Sequence, residues 1–180
     1  MHELVRRCLE AQAEGAVTFE APLNPGARPL HGSRLLDGPT LRRALAWPSP
    51  EATPDLAVIF VDSDGDRARK AEISRSLELR KHSHPPVVVA VCVNEIEAWL
   101  IADHACARRV LSIDVAQSAA PETLQPGDAK ALLARWTSAS PLDAGPARLA
   151  IASGADLMLV GRLCPSFDAF RSDLPAAVVR

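Results

Sequence analysis

No apolar run among the 180 residues approaches the ~20 that a membrane-spanning helix needs, so the chain is not expected to enter a bilayer. The N-terminus is charged almost at once, without a hydrophobic stretch or cleavage site. It does not read as a signal peptide, and the expected location is the cytoplasm. The four cysteines, Cys8, Cys92, Cys106 and Cys164, show no CxxC spacing and read as reduced core or surface thiols. An excess of positive charge is missing too, the formal net charge being −2. Unaided binding to a polyanion takes several Lys or Arg contacts to phosphate, so an autonomous DNA-binding module is disfavoured. Action on nucleic acid would need a metal or a basic partner to supply that charge. A phosphate-binding glycine loop is absent, and Ser33 near His31 has no nucleophile-elbow setting, so a hydrolase triad is not supported. A calcium loop counted from Asp62 fails as well, because Arg67 and Ile73 stand where it requires Gly and Glu. His82 and His84 lie in a Pro-bounded loop; they and the three scattered histidines read as exposed loop residues.

What the chain does contain is ordinary globular composition, 48% hydrophobic and 23% charged, at a length that suits one domain. The apolar spacing predicts a helix over Glu3–Glu14, a short strand over Val17–Ala21, a Pro- and Gly-rich loop, and a second helix over Pro39–Ala46. Leu56–Val61 is a continuous apolar run of strand length, followed by Asp62-Ser63-Asp64-Gly65-Asp66 and a charged helix from Arg67 to about Lys81. Val87–Val93 is a second such run, and Asn94 opens a helix over Glu95 to about Ala102. Continuous β-branched runs mark strands covered on both faces, as in parallel sheets. Beyond Asp103 the pattern leaves Arg108–Val115 as helix or short strand. It predicts helices over Asp128–Trp136, with Asp128 as cap, over Ala144–Ser153 and over Ser166–Leu174; Asp156–Val160 stays an apolar element of open type. The expected domain is a single α/β unit with a core over about 17–103 and a helical part over about 104–180.

Strand, helix and strand in that order bring the ends of both strands to one sheet edge, where open α/β sheets bind ligands. The densest acid cluster of the sequence falls there. Asp62 and Asp64 are two apart, so in extended or tight-turn backbone they project to one side and can share a cation. Carboxylate oxygens suit Mg²⁺ or Mn²⁺. Like charges so placed repel by a few kcal/mol at moderate dielectric unless something neutralises them. Ending the strand and capping the next helix is the alternative role for these aspartates. Glu95 and Glu97 sit in the first turn of the following helix, where the dipole favours them in any case. A separation of two residues is a rotation of ~200°, so both cannot face the strand end, and spacing alone does not choose between them.

The order Val61-Asp62-Ser63-Asp64-Gly65-Asp66, then Glu95-Ile96-Glu97-Ala98-Trp99-Leu100-Ile101-Ala102-Asp103, then Arg162-Leu163-Cys164-Pro165-Ser166-Phe167-Asp168-Ala169-Phe170, resembles an uncharacterised Toprim-like family. This is a domain-of-unknown-function group of the 4276 type, with members beside ATPases in bacterial defence-type gene neighbourhoods. The likeness runs over roughly residues 56–174. It implies a Toprim/Rossmann-like, mainly parallel sheet flanked by helices. It also implies a metal-dependent (Mg²⁺ or Mn²⁺) nuclease component that cleaves phosphodiesters, with an AAA- or ABC-type ATPase partner and nucleic acid as substrate. Asp62 and Asp64 match the DxD pair and Asp66 stands as a nearby assistant. Glu97 matches the glutamate two before the tryptophan, with Glu95 as the other metal candidate. Lys130 and Arg162 fall in stretches similar to the family's and are candidates for phosphate contact. Toprim-like domains open on a strand that ends in a glutamate, whereas this chain opens on the helix that should follow it, with Glu3 near its start. Either the start lies upstream or this member lacks its first strand. Two other functions compete. One is a non-catalytic binding or regulatory subunit of the same fold. The other is a haloacid-dehalogenase-like phosphatase with Asp62 as nucleophile and Asp64 as acid, for which Asp156 is a poor later acidic residue.

Overall fold

A computed structural model describes residues 2–11, 37–47, 53–63, 66, 68–78, 85–115 and 120–178. The strand expected over Val17–Ala21, the loop after it, and Asp64, Gly65, His82 and His84 lie outside them. The two apolar runs form β1 (Ala57–Asp62) and β2 (Val87–Cys92), paired in parallel with Ala57 opposite Val87 and Asp62 opposite Cys92. Between them runs α3 (Arg69–Glu78), completing the expected strand–helix–strand unit.

Side chains alternate across a strand, and here each face of the sheet has its own core. Ile59, Val61 and Val89 pack with Leu41 and Leu45 of α2 (Gly38–Leu45) and Ile73 and Leu77 of α3. Val58, Phe60, Val88, Ala90 and Cys92 face the larger core. That core is built by α1 (His2–Glu10), α4 (Glu97–Ile101), α5 (His104–Leu111), α6 (Asp128–Ala139), α7 (Ala144–Gly154), α8 (Leu157–Leu163) and α9 (Pro165–Val178). The architecture is therefore α/β, a parallel pair of strands sandwiched between helices. Among the described residues no helix is long and apolar enough to cross a membrane.

Several helix boundaries have reasons that apolar spacing does not carry. Asp37 caps α2, accepting the N–H of Thr40 at 3.2 Å, and Pro39 takes a first-turn position that needs no donor. The segment left open between helix and strand after Asp103 is α5, and the apolar element after Asp156 is α8. Both begin at an aspartate. Asp103 Oδ1 accepts from Cys106 N at 2.9 Å while its Oδ2 accepts from Asp156 N at 2.8 Å. Asp156 Oδ1 in turn accepts from Met158 N and Leu159 N at 2.9 and 3.2 Å. The expected cap at Asp128 is a correction: Gly127, in the left-handed region at φ 94°, precedes the helix, and Asp128 is its first residue. His104 is also a correction, since it is buried in α5, edge-on to Trp136 at 6.0 Å, rather than exposed in a loop. All four cysteines are buried.

Candidate functional site

The ends of β1 and β2 are laced together by main-chain and side-chain hydrogen bonds. Ser63 N donates to Cys92 O at 2.8 Å, and Ser63 Oγ accepts from Asn94 N at 3.4 Å. Asn94 adopts the left-handed region, φ 57°, which asparagine tolerates better than most residues, and its Nδ2 donates to Leu124 O at 2.9 Å. That turn delivers Ile96, whose N–H donates to Asp62 Oδ1 at 3.0 Å. The carboxylate ending one strand thus caps the turn leading out of the next, one residue before Glu97.

The acids named by the sequence divide. Asp62, at the end of β1, and Glu97, at the start of α4, both lie towards this edge and are both half-buried. With Glu122 they stand near enough to the Cys92 thiol to oppose its ionisation, adding to burial, which is the main cause of its raised pKa. Glu95 points elsewhere: its Oε2 accepts the main-chain N–H of Lys130 at 2.9 Å, in the first turn of α6. Asp66 takes part in the entry to α3, its Oδ1 accepting from Ala68 N at 2.8 Å. Asp64 lies outside the described residues. Lys130 reaches this region by its backbone and has an exposed side chain. Arg162 is exposed in the last turn of α8, and among the described residues no hydrogen bond or ion pair joins it to Asp62, Glu95 or Glu97.

Two participants carried no sequence signal. Arg69, seven residues after Asp62, donates from Nη1 to the main-chain carbonyl of Asp62, placing a guanidinium beside the acids. Glu122, in the 3-10 turn Pro121–Thr123, accepts from Trp99 Nε1 at 3.2 Å and Ser166 N at 3.2 Å, and also from Ser166 Oγ. The tryptophan of the Glu-x-Trp-Leu stretch and the serine of Cys-Pro-Ser-Phe therefore share one carboxylate.

Among the described residues no three His, Cys, Asp or Glu converge as a ready-made metal cage. Mg²⁺ does not require one. It is commonly held by one or two carboxylates and keeps several waters. Asp62 and Glu97 supply hard oxygen donors from adjoining element ends, and the Ile96 N–H holds Asp62 by its Oδ1. The residues present fit a hard divalent ion.

A family model described as a domain of unknown function (DUF4276) matches residues 5–175. No curated protein and no solved structure matches the chain.

Proposed function

The chain belongs to the DUF4276 family of domains of unknown function, and we propose that within it this protein is a metal-dependent, phosphodiester-cleaving nuclease component. The observation that carries the reading is the bond from Ile96 N to Asp62 Oδ1. It ties the acid at the end of β1 to the residue before Glu97, at the sheet edge where α/β folds bind ligands. Asp64, two residues beyond Asp62, is the third proposed acid.

In this reading Asp62, Asp64 and Glu97 hold Mg²⁺ or Mn²⁺, which when bound polarises a phosphoryl oxygen and favours a hydroxide nucleophile. The chain's own residues do the rest. The Ser63–Cys92 and Ile96–Asp62 bonds fix the spacing of the acids, and Arg69 balances their charge. Lys130 and Arg162 are proposed phosphate contacts. The substrate is nucleic acid, the location is cytoplasmic, and an AAA- or ABC-type ATPase is the proposed partner, in keeping with the defence-type neighbourhoods of the resemblance. A partner of that kind also answers the electrostatic difficulty, since a net charge of −2 gives the chain little attraction of its own for a polyanion.

A second reading has an observation in its favour. Three of the five acids, Asp62, Glu95 and Asp66, already accept main-chain N–H groups at helix starts. A site with fewer acids suits a non-catalytic, cation-binding regulatory subunit of the same fold.

The deciding experiment incubates the chain with plasmid and single-stranded DNA in Mg²⁺ or Mn²⁺, beside an Asp62→Ala/Asp64→Ala double variant. The expected result is cutting that requires metal and disappears in the variant. Metal binding by calorimetry without cutting would favour the regulatory subunit. Neither binding nor cutting would end the metal reading.

A further inference from the structure

The site proposed above depends on where Glu97 sits, and α4 is ill-equipped to hold it unaided. The helix has five residues, and Ile96 at its start provides no side-chain cap. So short a helix has too few internal bonds to fix its own direction. Its anchor is Trp99, 1% exposed, edge-on to Phe167 at 5.0 Å, stacked on Phe170 at 5.8 Å and 6.2 Å from Phe60. Ring packing resists translation, whereas a directional bond is needed against rotation. That bond is the indole N–H, which donates to Ser166 Oγ at 2.9 Å and to Glu122 Oε1 at 3.2 Å. Ser166, at the start of α9, gives both its N–H and its hydroxyl to Glu122. One carboxylate thus gathers donors from two helices.

Glu97 and Trp99 share a single helical turn, so the rotation that sets one sets the other. A helix with its side chains has a radius of about 5–6 Å, and a turn of roughly 20° would shift a carboxylate at that radius by about 2 Å. A misplacement of even ~1 Å can cost a reactive site much of its rate.

We propose that Glu122 is a positioning residue: acting through Ser166 and the Trp99 indole, it locks the rotation of α4 and so holds Glu97 against Asp62. The proposal rests on the reading of Asp62 and Glu97 as metal-holding acids. A carboxylate suits the task because three donors converge on it and both its oxygens accept. Glutamine would turn an NH₂ group towards one of those donors. The rival role for Glu122 is simple negative charge near the cation. Ser166→Ala separates the two, because it removes the hydroxyl link of the clamp, keeping only the direct indole–Glu122 and main-chain Ser166–Glu122 bonds, and leaves the charge in place.

The test titrates Mn²⁺ by calorimetry into the full chain, Glu122→Gln and Ser166→Ala, each well below its melting temperature. Amide hydrogen exchange is followed over Trp99–Ile101, with α6 and α7 as internal references. Glu122→Gln is expected to bind Mn²⁺ about tenfold or more weakly, the range seen when a residue supporting a metal ligand is lost, and Ser166→Ala to bind it measurably more weakly by a smaller factor. Amides of α4 should exchange faster while those of α6 and α7 do not change. Weakening by Glu122→Gln alone would overturn the proposal in favour of charge. Unchanged α4 exchange in both variants would also overturn it. If the unsubstituted chain binds no Mn²⁺, the metal reading fails by itself. The exchange arm then still decides the clamp, faster α4 exchange supporting it and unchanged exchange refuting it.

Discussion

Ile96 and Asp62, thirty-four positions apart, are joined by a main-chain N–H resting on Oδ1 at 3.0 Å, so one carboxylate serves both as strand end and as the cap of a turn. The two duties respond differently to substitution. Asp62→Asn retains an oxygen to accept from Ile96 and loses the charge. It should melt close to the unsubstituted protein while metal binding and any cleavage are lost. Asp62→Ala loses the acceptor as well and should cost a further ~1–2 kcal/mol. Thermal denaturation of the pair beside Mn²⁺ calorimetry checks this; equal destabilisation by both would mean that the charge itself holds the fold.

Asn94 combines a left-handed backbone with a bond from Nδ2 to Leu124 O. Asn94→Gly relieves the backbone and gives up the bond, for an expected loss of about 1 kcal/mol. Asn94→Ala gives up the bond and adds roughly 1 kcal/mol of left-handed strain. Urea unfolding should therefore rank asparagine above glycine above alanine. Alanine equal to glycine would show that the turn relaxes out of the left-handed region.

Burial lowers the pKa of His104; Asp103 nearby pulls it up by less, and Arg108 adds a little to the lowering. A base whose folded pKa lies below its ordinary 6.5 is protonated more readily when unfolded. Its neutral form stabilises the fold fully above that value, and the contribution drains away as the pH drops towards the folded pKa. Urea midpoints measured from about pH 8 to pH 5 should thus fall more steeply for the unsubstituted chain than for His104→Gln. Parallel curves would mean that His104 accepts its proton without penalty.

Burial raises all four thiols, Cys8 to about 11 and Cys164 to about 12, with Cys92 and Cys106 raised as well. The thiolate is the reactive form, so a disulfide reagent at about pH 8 should find almost none in the native protein. Four thiols should appear after denaturation. A rapid native reaction would place one of them at the surface.

The legible part of the fold was the part written in contiguous residues. Two unbroken apolar runs predict β1 and β2, and their order alone puts Asp62 and the Glu95–Glu97 turn at one edge. What spacing could not decide was settled by partners distant along the chain. Glu95 Oε2 is engaged by Lys130 N, thirty-five positions on, which is why Glu97 is the one proposed beside Asp62. Glu122 sits in a single 3-10 turn with no periodicity to mark it, and its significance exists only once Trp99 and Ser166 are brought together. The element after Asp156 is too short for periodicity to separate helix from strand, and its aspartate cap is the stronger indication. The histidine expected in a loop is instead the first residue of α5, which Asp103 caps, and it is buried there.

The shared carboxylate of Asp103 has a dynamic consequence. One oxygen holds the first turn of α5 and the other holds the backbone of Asp156, whose own side chain starts α8. Fraying at the start of α5 loosens the acceptor that holds Asp156 N, and fraying at the start of α8 withdraws a donor that helps fix the Asp103 carboxylate. The starts of two helices some fifty residues apart in sequence are thereby coupled through one side chain, and their first-turn amides are expected to exchange together.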